Sequence, residues 1–216
     1  MKKILLLASI VVLIASCSLK PKLDLEVNIN NNNTLINKNF IVTYQVEGRT
    51  VYTDTVIIKK DNFSLKIPLE GKGLINIAIS ETRIRFLMLA AEKGKVNLTF
   101  DGLKPYFSGT PLNDRLQAFY NGNDSIYSLY SELNKEYELI SGTDKYSLQK
   151  DEEISKKRTQ LLIENTDRIV AFIKENVDNP VGEYYFMTNY LTFPPERKLE
   201  LNSFATEKLK KEFNIK

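Results

Sequence analysis

The hydrophobic period of this chain changes once, near Gly109, and that change decides most of what it can fold into. From Leu23 to Phe107 apolar residues recur at every second position. Leu23, Leu25, Val27 and Ile29 alternate with polar neighbours, as do Phe40, Val42, Tyr44 and Val46, and then Phe63, Leu65, Ile67 and Leu69. A period of two describes a strand with one buried face. Residues 51–59 read as a further strand, and Ile75, Ile77 and Ile79 as another. Asn30 to Asn33, Gly48, Asp61-Asn62, Gly71 and Gly73 supply the turns. The stretch from Ile84 to Ala91 is almost continuously apolar, which predicts a strand at the centre of a sheet. Glu92-Lys93-Gly94-Lys95 then reads as a hairpin connection into Val96, Leu98 and Phe100. Short strands at this spacing predict an antiparallel β-sandwich or open barrel of roughly seven or eight strands.

Beyond Gly109 the spacing becomes three, four and seven. Thr110 suits a helix cap and Pro111 a first turn. Leu112, Leu116, Phe119, Ile126, Tyr130, Leu133 and Tyr137 then form one helical stripe, with Gly122-Asn123 as a candidate kink. Ser141-Gly142-Thr143 ends it. A second helix is predicted over residues 147–176, with Asp151, Glu152 and Glu153 in early turns where acids complement the dipole. Pro180 stops it, a short aromatic helix follows from Val181 to Tyr190, and Pro194-Pro195 opens a last one. The fold class is therefore α+β: an N-terminal antiparallel β-sandwich over residues 23–108, then a helical region of three or four helices over residues 109–216.

The first residues carry an address. Lys2 and Lys3 precede Ile4 to Ala15, a run broken only by Ser9 and too short to span a bilayer. It ends at Ile14-Ala15-Ser16-Cys17, which resembles a bacterial lipobox. The small residues admit a peptidase, and the thiol accepts the lipid. Residues 1–16 are read as a lipoprotein signal peptide, cleaved between Ser16 and Cys17, and residues 17–22 as a lipidated tether. Loss of Lys2 and Lys3 leaves 28 basic against 27 acidic side chains, so the mature charge is +1. No long basic run supports nucleic acid as a partner. Several acyl chains on Cys17 would anchor the protein stably to a membrane. The tether carries no acid, which leans towards a periplasm-facing position in the envelope of a Gram-negative bacterium, with surface exposure as the alternative.

The chain has no histidine and one cysteine. A Ser-His-Asp triad, a Cys-His dyad, a histidine-ligated metal and an internal disulfide all fall away. The nine glycines show no phosphate-binding spacing, and no cofactor is expected. Two carboxylate clusters remain, Glu132 with Glu136 and Glu138, and Asp151 with Glu152 and Glu153. Paired carboxylates hydrolyse glycosides only at fixed separation across a cleft, and these fall on helix surfaces among lysines. Tyr184, Tyr185, Tyr190 and Phe193 form the best candidate ligand groove, for a sugar or a peptide, against the competing reading of core packing. Asp54-Thr55-Val56 and Asp124-Ser125-Ile126 both match a three-residue acceptor for O-glycosylation of exported proteins, at Thr55 and Ser125.

Four motifs, in order, carry a family resemblance. They are Thr53-Asp54-Thr55-Val56 with Asn62-Phe63-Ser64-Leu65; Phe86-Leu87-Met88-Leu89 with Gly94-Lys95-Val96-Asn97-Leu98; Ser108-Gly109-Thr110-Pro111-Leu112-Asn113-Asp114; and Phe172-Ile173-Lys174-Glu175-Asn176 with Asn179-Pro180-Val181-Gly182. Together they resemble the domain of unknown function, with its helical region, that precedes the thioredoxin fold in periplasmic TlpA/ResA-like thiol-disulfide oxidoreductases. The resemblance implies a thioredoxin domain with a C-x-x-C pair beyond the helices, and this sequence reaches Lys216 without one. A dithiol exchanges electrons through an attacking and a resolving thiolate, so the redox activity does not carry over.

The expectation is a non-catalytic envelope lipoprotein, a binding or scaffolding module that holds a thioredoxin-fold partner near the membrane. The alternatives are a partner-dependent fragment of a split oxidoreductase, and a sugar- or peptide-binding lipoprotein of a nutrient-uptake system. The oligomeric state is left open.

Overall fold

A computed structural model describes residues 21–84, 86–102, 104–143 and 146–215. The architecture is α+β: eight strands in two four-stranded sheets, then five α-helices. The strands are β1 (Lys22–Asn30), β2 (Asn39–Val46), β3 (Arg49–Ile57), β4 (Asn62–Pro68), β5 (Leu74–Ile79), β6 (Leu87–Ala90), β7 (Gly94–Asp101) and β8 (Lys104–Ser108). One sheet runs β4-β1-β7-β8 and the other β3-β2-β5-β6. The alternating residues meet between the sheets. Leu25, Val96, Leu98 and Phe100 face Phe40, Val42, Ile75 and Ile77, all fully buried. Burial of this kind stabilises by about 25 cal/mol per Å² of apolar surface.

Two details depart from the sequence reading. The pairing of β1 with β7 is parallel, with Leu25 opposite Val96 and Val27 opposite Leu98. These strands are far apart in sequence, and period two sets which face is buried but not strand direction. The apolar run before Ala91 is not central either: β6 is an edge strand, buried on both faces. Glu92 to Lys95 is consequently no hairpin turn, because β6 and β7 lie in different sheets.

The buried edge is explained by the first helix, α1 (Pro111–Ile140). The Asn113 side chain stands against β6 like a short piece of strand. Its Oδ1 accepts from the Ala90 N–H at 2.9 Å, and its Nδ2 donates to the Ala90 carbonyl at 3.0 Å. One turn further on, Gln117 Oε1 accepts from the Phe107 N–H of β8 at 2.8 Å. Side-chain amides four residues apart thus close an edge of each sheet, which exposed strands otherwise leave as a template for pairing.

Helix α1 runs without interruption past Gly122. That glycine leaves a notch filled by the Arg168 guanidinium, rather than a kink. Helix α2 (Leu148–Asn176) returns alongside α1, and α3 (Pro180–Asn189) packs on α2. The last helical stretch divides into α4 (Pro195–Phe204) and α5 (Glu207–Phe213), giving five helices where three or four were expected. Thr206 makes the division by capping Leu209 N–H at 3.3 Å. Val170, Ile173, Phe186, Leu201 and Leu209 form a second, smaller core among α2 to α5.

Candidate functional site

Two of the four motifs behind the family resemblance run along strands β3, β4, β6 and β7, and the other two lie at joints of the fold. In Ser108 to Asp114 the backbone must turn from β8 into α1. Gly109 takes a φ of +126°, and a Cβ there would collide with the Lys95 carbonyl. Asp114 Oδ1 accepts the Gly109 N–H at 2.8 Å, and Glu92 accepts the Leu112 N–H at 2.8 Å as a cap from another strand connection. Thr110 makes no cap bond. Its Oγ1 accepts instead from Asn113 Nδ2 at 2.7 Å, which helps to aim that amide at β6.

The joint between α2 and α3 has the same character. Asn176 Nδ2 donates to the Phe172 carbonyl at 2.8 Å, and its Oδ1 accepts from Asn179 Nδ2 at 3.1 Å. Asn179 Oδ1 accepts from the Val181 and Gly182 N–H groups at 3.0 and 3.2 Å. Gly182 is required because a Cβ there would meet the Asn176 carbonyl. These residues are occupied in holding the chain together.

The four aromatic residues singled out as a groove do not come together in one. Tyr190 stacks on Phe186 at 5.2 Å and donates to Asn202 Oδ1 at 2.9 Å. Phe193 is buried in the same small core. Tyr185 packs edge-on to Phe119 and Phe172 at 5.0 and 5.3 Å, in the sandwich core. Burial first, and then the neighbouring Tyr120, push its hydroxyl well above the usual tyrosine range. Tyr120 is shifted upward too, chiefly by burial.

Tyr184 alone reaches a surface feature. Its ring stacks on Phe86 at 6.2 Å and 24°. Phe86 is 56% exposed and borders an open groove of about 850 Å³ between β8, the start of β6 and the outer face of α1. Tyr127, 62% exposed, stands on the helical side. Asp101, Lys104, Gln117, Asp124, Ser128 and Ser131 supply the polar lining. Lys104 bridges to Asp124 at 2.8 Å and lies 5.4 Å from the Tyr106 ring centre. The Asp124 hydrogen bond and charge raise the lysine above its ordinary range.

Sequence reasoning did not single out Phe86 or Tyr127 as binding residues. A usable signal exists for Tyr127: it follows Ile126 and so falls beside the apolar stripe of α1 rather than on it. A large ring off the stripe is a ring in solvent.

The second prominent surface is the far half of the α1–α2 hairpin. Among the described residues between 127 and 169, Ile154 alone is buried. Leu139 and Leu148 are 77% and 75% exposed, and Leu129, Leu162 and Ile163 are also exposed. The carboxylate clusters lie here as surface charges: Lys150 bridges Glu136 at 2.8 Å and Glu153 at 3.4 Å, and Lys157 pairs with Glu153 at 2.6 Å. Exposed pairs of this type contribute about 0–1 kcal/mol each.

Thr55 is exposed on edge strand β3, and its N–H donates to Asp54 Oδ1 at 2.8 Å. Ser125 is exposed on α1, with its hydroxyl donating to the Asn121 carbonyl at 3.1 Å. Ser16 and Cys17 lie outside the described residues. No helix among the described residues is long and apolar enough to cross a membrane.

The fold and its joints define a class, a two-sheet β-sandwich closed along one side by the first turns of a helix. Within it, residues 23–116 match the family model of a domain of unknown function (DUF4369). The match begins in β1 and runs past Asn113, so it takes in the junction as well as the strands. No curated protein matches the chain.

Proposed function

We propose that this chain is a non-catalytic lipoprotein of the bacterial cell envelope that serves as a binding and scaffolding module, with the α1–α2 hairpin as its docking arm. The observation that supports the reading is the hairpin itself. At about 1.5 Å per residue, the 30 residues of α1 extend roughly 45 Å, and among the described residues the far half holds one buried apolar residue while showing the large aliphatic side chains of Leu129, Leu139, Leu148, Leu162 and Ile163 to solvent. An arm without a core of its own is suited to gaining one from a partner.

The resemblance makes a thioredoxin-fold protein of the envelope the partner of choice. The anchor would be a lipid on Cys17. Pro21 already accepts a hydrogen bond from Leu69 N–H at 2.9 Å. The tether from Cys17 is therefore four peptide steps, about 14 Å when extended, and the folded part would stay close to its membrane.

A photo-crosslinking residue placed at Leu139 or Leu162 in the producing cell tests the reading. The expected product is a discrete adduct with a thioredoxin-fold protein from both positions. A crosslinker at Thr55 is the control. Adducts absent from the arm, or equal from Thr55, would sink the proposal. Mass spectrometry of the mature protein should show a diacyl- or triacyl-cysteine at Cys17, and any further mass of sugar would locate to Thr55 or Ser125.

A further inference from the structure

The Phe86–Tyr127 groove lies where α1 meets the sandwich, at the base of the docking arm, and its chemistry is specific enough to name a ligand class. Its walls are exposed rings. Phe86 is held flat by Tyr184 behind it at 6.2 Å, and Tyr127 faces solvent from α1. Its lining is a set of short-range hydrogen-bonding groups, among them Asp101, Ser128 and Ser131. The volume, about 850 Å³, lies in the range of small-molecule sites, where a few polar groups orient a ligand between apolar walls.

Two ligand types fit poorly. An extended peptide binds such a place by adding a strand to an open edge, and β8 is not open. Residues 105 and 107 direct their backbone to the same side of the strand. The Phe107 N–H on that side is taken by Gln117 at 2.8 Å, and Pro105 has no N–H to give. An anionic ligand would meet the Asp101 carboxylate and would have to displace Asp124 from Lys104, which it bridges at 2.8 Å. A pyranose meets what remains. Its C–H faces are apolar and flat and lie against rings, while its edge of hydroxyls both donates and accepts.

We infer that the groove between β8 and α1 is a binding site for a neutral saccharide, stacked on Phe86 and Tyr127 and hydrogen-bonded through its hydroxyls to Asp101, Asp124 and Ser128.

The chain contains no tryptophan, so Phe86→Trp places a single fluorophore in the groove while keeping an aromatic platform. The full-length protein in detergent carrying this change is titrated with maltotetraose, cellotetraose, xylotetraose and chitotetraose. The expected result is a saturable emission shift with at least one of them, unchanged by added salt because the ligand carries no charge. Adding Tyr127→Ala should weaken that binding about tenfold or more. Both positions are exposed, and a melting curve matching the parent's establishes that each variant is folded. Leu162→Ala on the docking arm should leave the titration unchanged, which separates this site from the proposed arm. No shift with any of the four saccharides overturns the inference. So does a shift that survives Tyr127→Ala, one that salt abolishes, or one reproduced by an uncharged hexapeptide.

Discussion

Replacing Asn113 by leucine tests the closure of the sandwich directly. The side chain is fully buried, and leucine keeps its branching while replacing both polar atoms by methyl groups, which cannot hydrogen-bond. One backbone group loses its partner, the Ala90 N–H bonded at 2.9 Å; the Ala90 carbonyl loses a bond of 3.0 Å but keeps the one it accepts from the Glu92 N–H at 3.0 Å. Ala90 is itself buried, so water does not replace the amide. A buried polar group without a partner costs about 1–3 kcal/mol. The Thr110 hydroxyl can rotate to another acceptor and adds little. One such group, together with the weakened carbonyl, gives an expected loss of about 2 kcal/mol, a sizeable share of the 5–15 kcal/mol usual for a whole domain. Urea unfolding followed by circular dichroism measures it, with the slope expected to stay constant. Gln117→Leu is the internal comparison. It strips one N–H, at Phe107, from a partly buried site and should cost about 1 kcal/mol. A loss below about 1 kcal/mol for Asn113→Leu, or one no larger than that of Gln117→Leu, would refute the view that this amide completes the β6 edge. Asn113→Asp adds a pH signature. Its carboxylate would face the Ala90 carbonyl in a buried place, so its folded-state pKa lies above the unfolded 3.9 or so. A group raised in this way contributes its stability below the unfolded pKa and loses it as pH rises through the folded one. The deficit against the parent should therefore shrink on acidification.

Gly109→Ala should destabilise by about 3 kcal/mol in the same urea assay, because φ is +126° and the new methyl meets the fixed Lys95 carbonyl. Gly122→Ala should stay within about 1 kcal/mol of the parent, since the obstacle is the flexible end of Arg168 and alanine favours a helix. Raised tyrosine pKa values predict alkaline unfolding: Tyr185 and Tyr120 are neutral in the fold, so stability is complete below about pH 10 and falls above it. Tyr185→Phe should flatten that fall, read by tyrosine absorbance against pH. Leu139→Ser and Leu162→Ser should change unfolding free energy by no more than about 0.5 kcal/mol while abolishing the proposed arm adducts.

The strands were legible because each buries one face: Leu23 to Ile29 and Phe40 to Val46 need nothing beyond alternation to be placed. Direction was not legible, since β1 and β7 bury the same residues whether they run parallel or not. The position of β6 misled for a related reason. A continuous apolar run reports that both faces are covered, and the natural cover is more sheet. Here the end of the strand is finished by Asn113, a polar residue whose pattern reads as an ordinary helix start. The division at Thr206 was also hidden, because a cap residue beside charged neighbours does not interrupt a helical period. Among the candidate site residues, Tyr185 on α3, Tyr190 at its end and Phe193 in the connection to α4 all pack against the cores, as large aromatic rings usually do. Tyr184 also reaches the surface, through its contact with Phe86, which lies far away in sequence.

The most restrictive motif of this chain, Ser108 to Asp114, and the proposed binding surface make different demands on the sequence, and there is a physical reason for that. A motif such as Ser108 to Asp114 is restrictive because backbone geometry demands it: Gly109 needs its φ, Asn113 its reach to Ala90, Asp114 its bond to Gly109. Few residue types meet such demands, so the pattern stands out in a single sequence. A stacking platform asks far less. Phe86 and Tyr127 require only that a ring be exposed and held at a suitable distance, a condition many sequences satisfy and no spacing rule encodes. The family match over residues 23–116 therefore takes in the scaffold of this chain, including the amide that seals its sheet edge, and the ligand is read from surfaces that only the folded chain brings together. If the groove binds a saccharide, its specificity will follow substitutions at Phe86, Tyr127 and the polar side chains around them, while the junction residues will govern stability and leave the choice of ligand unchanged.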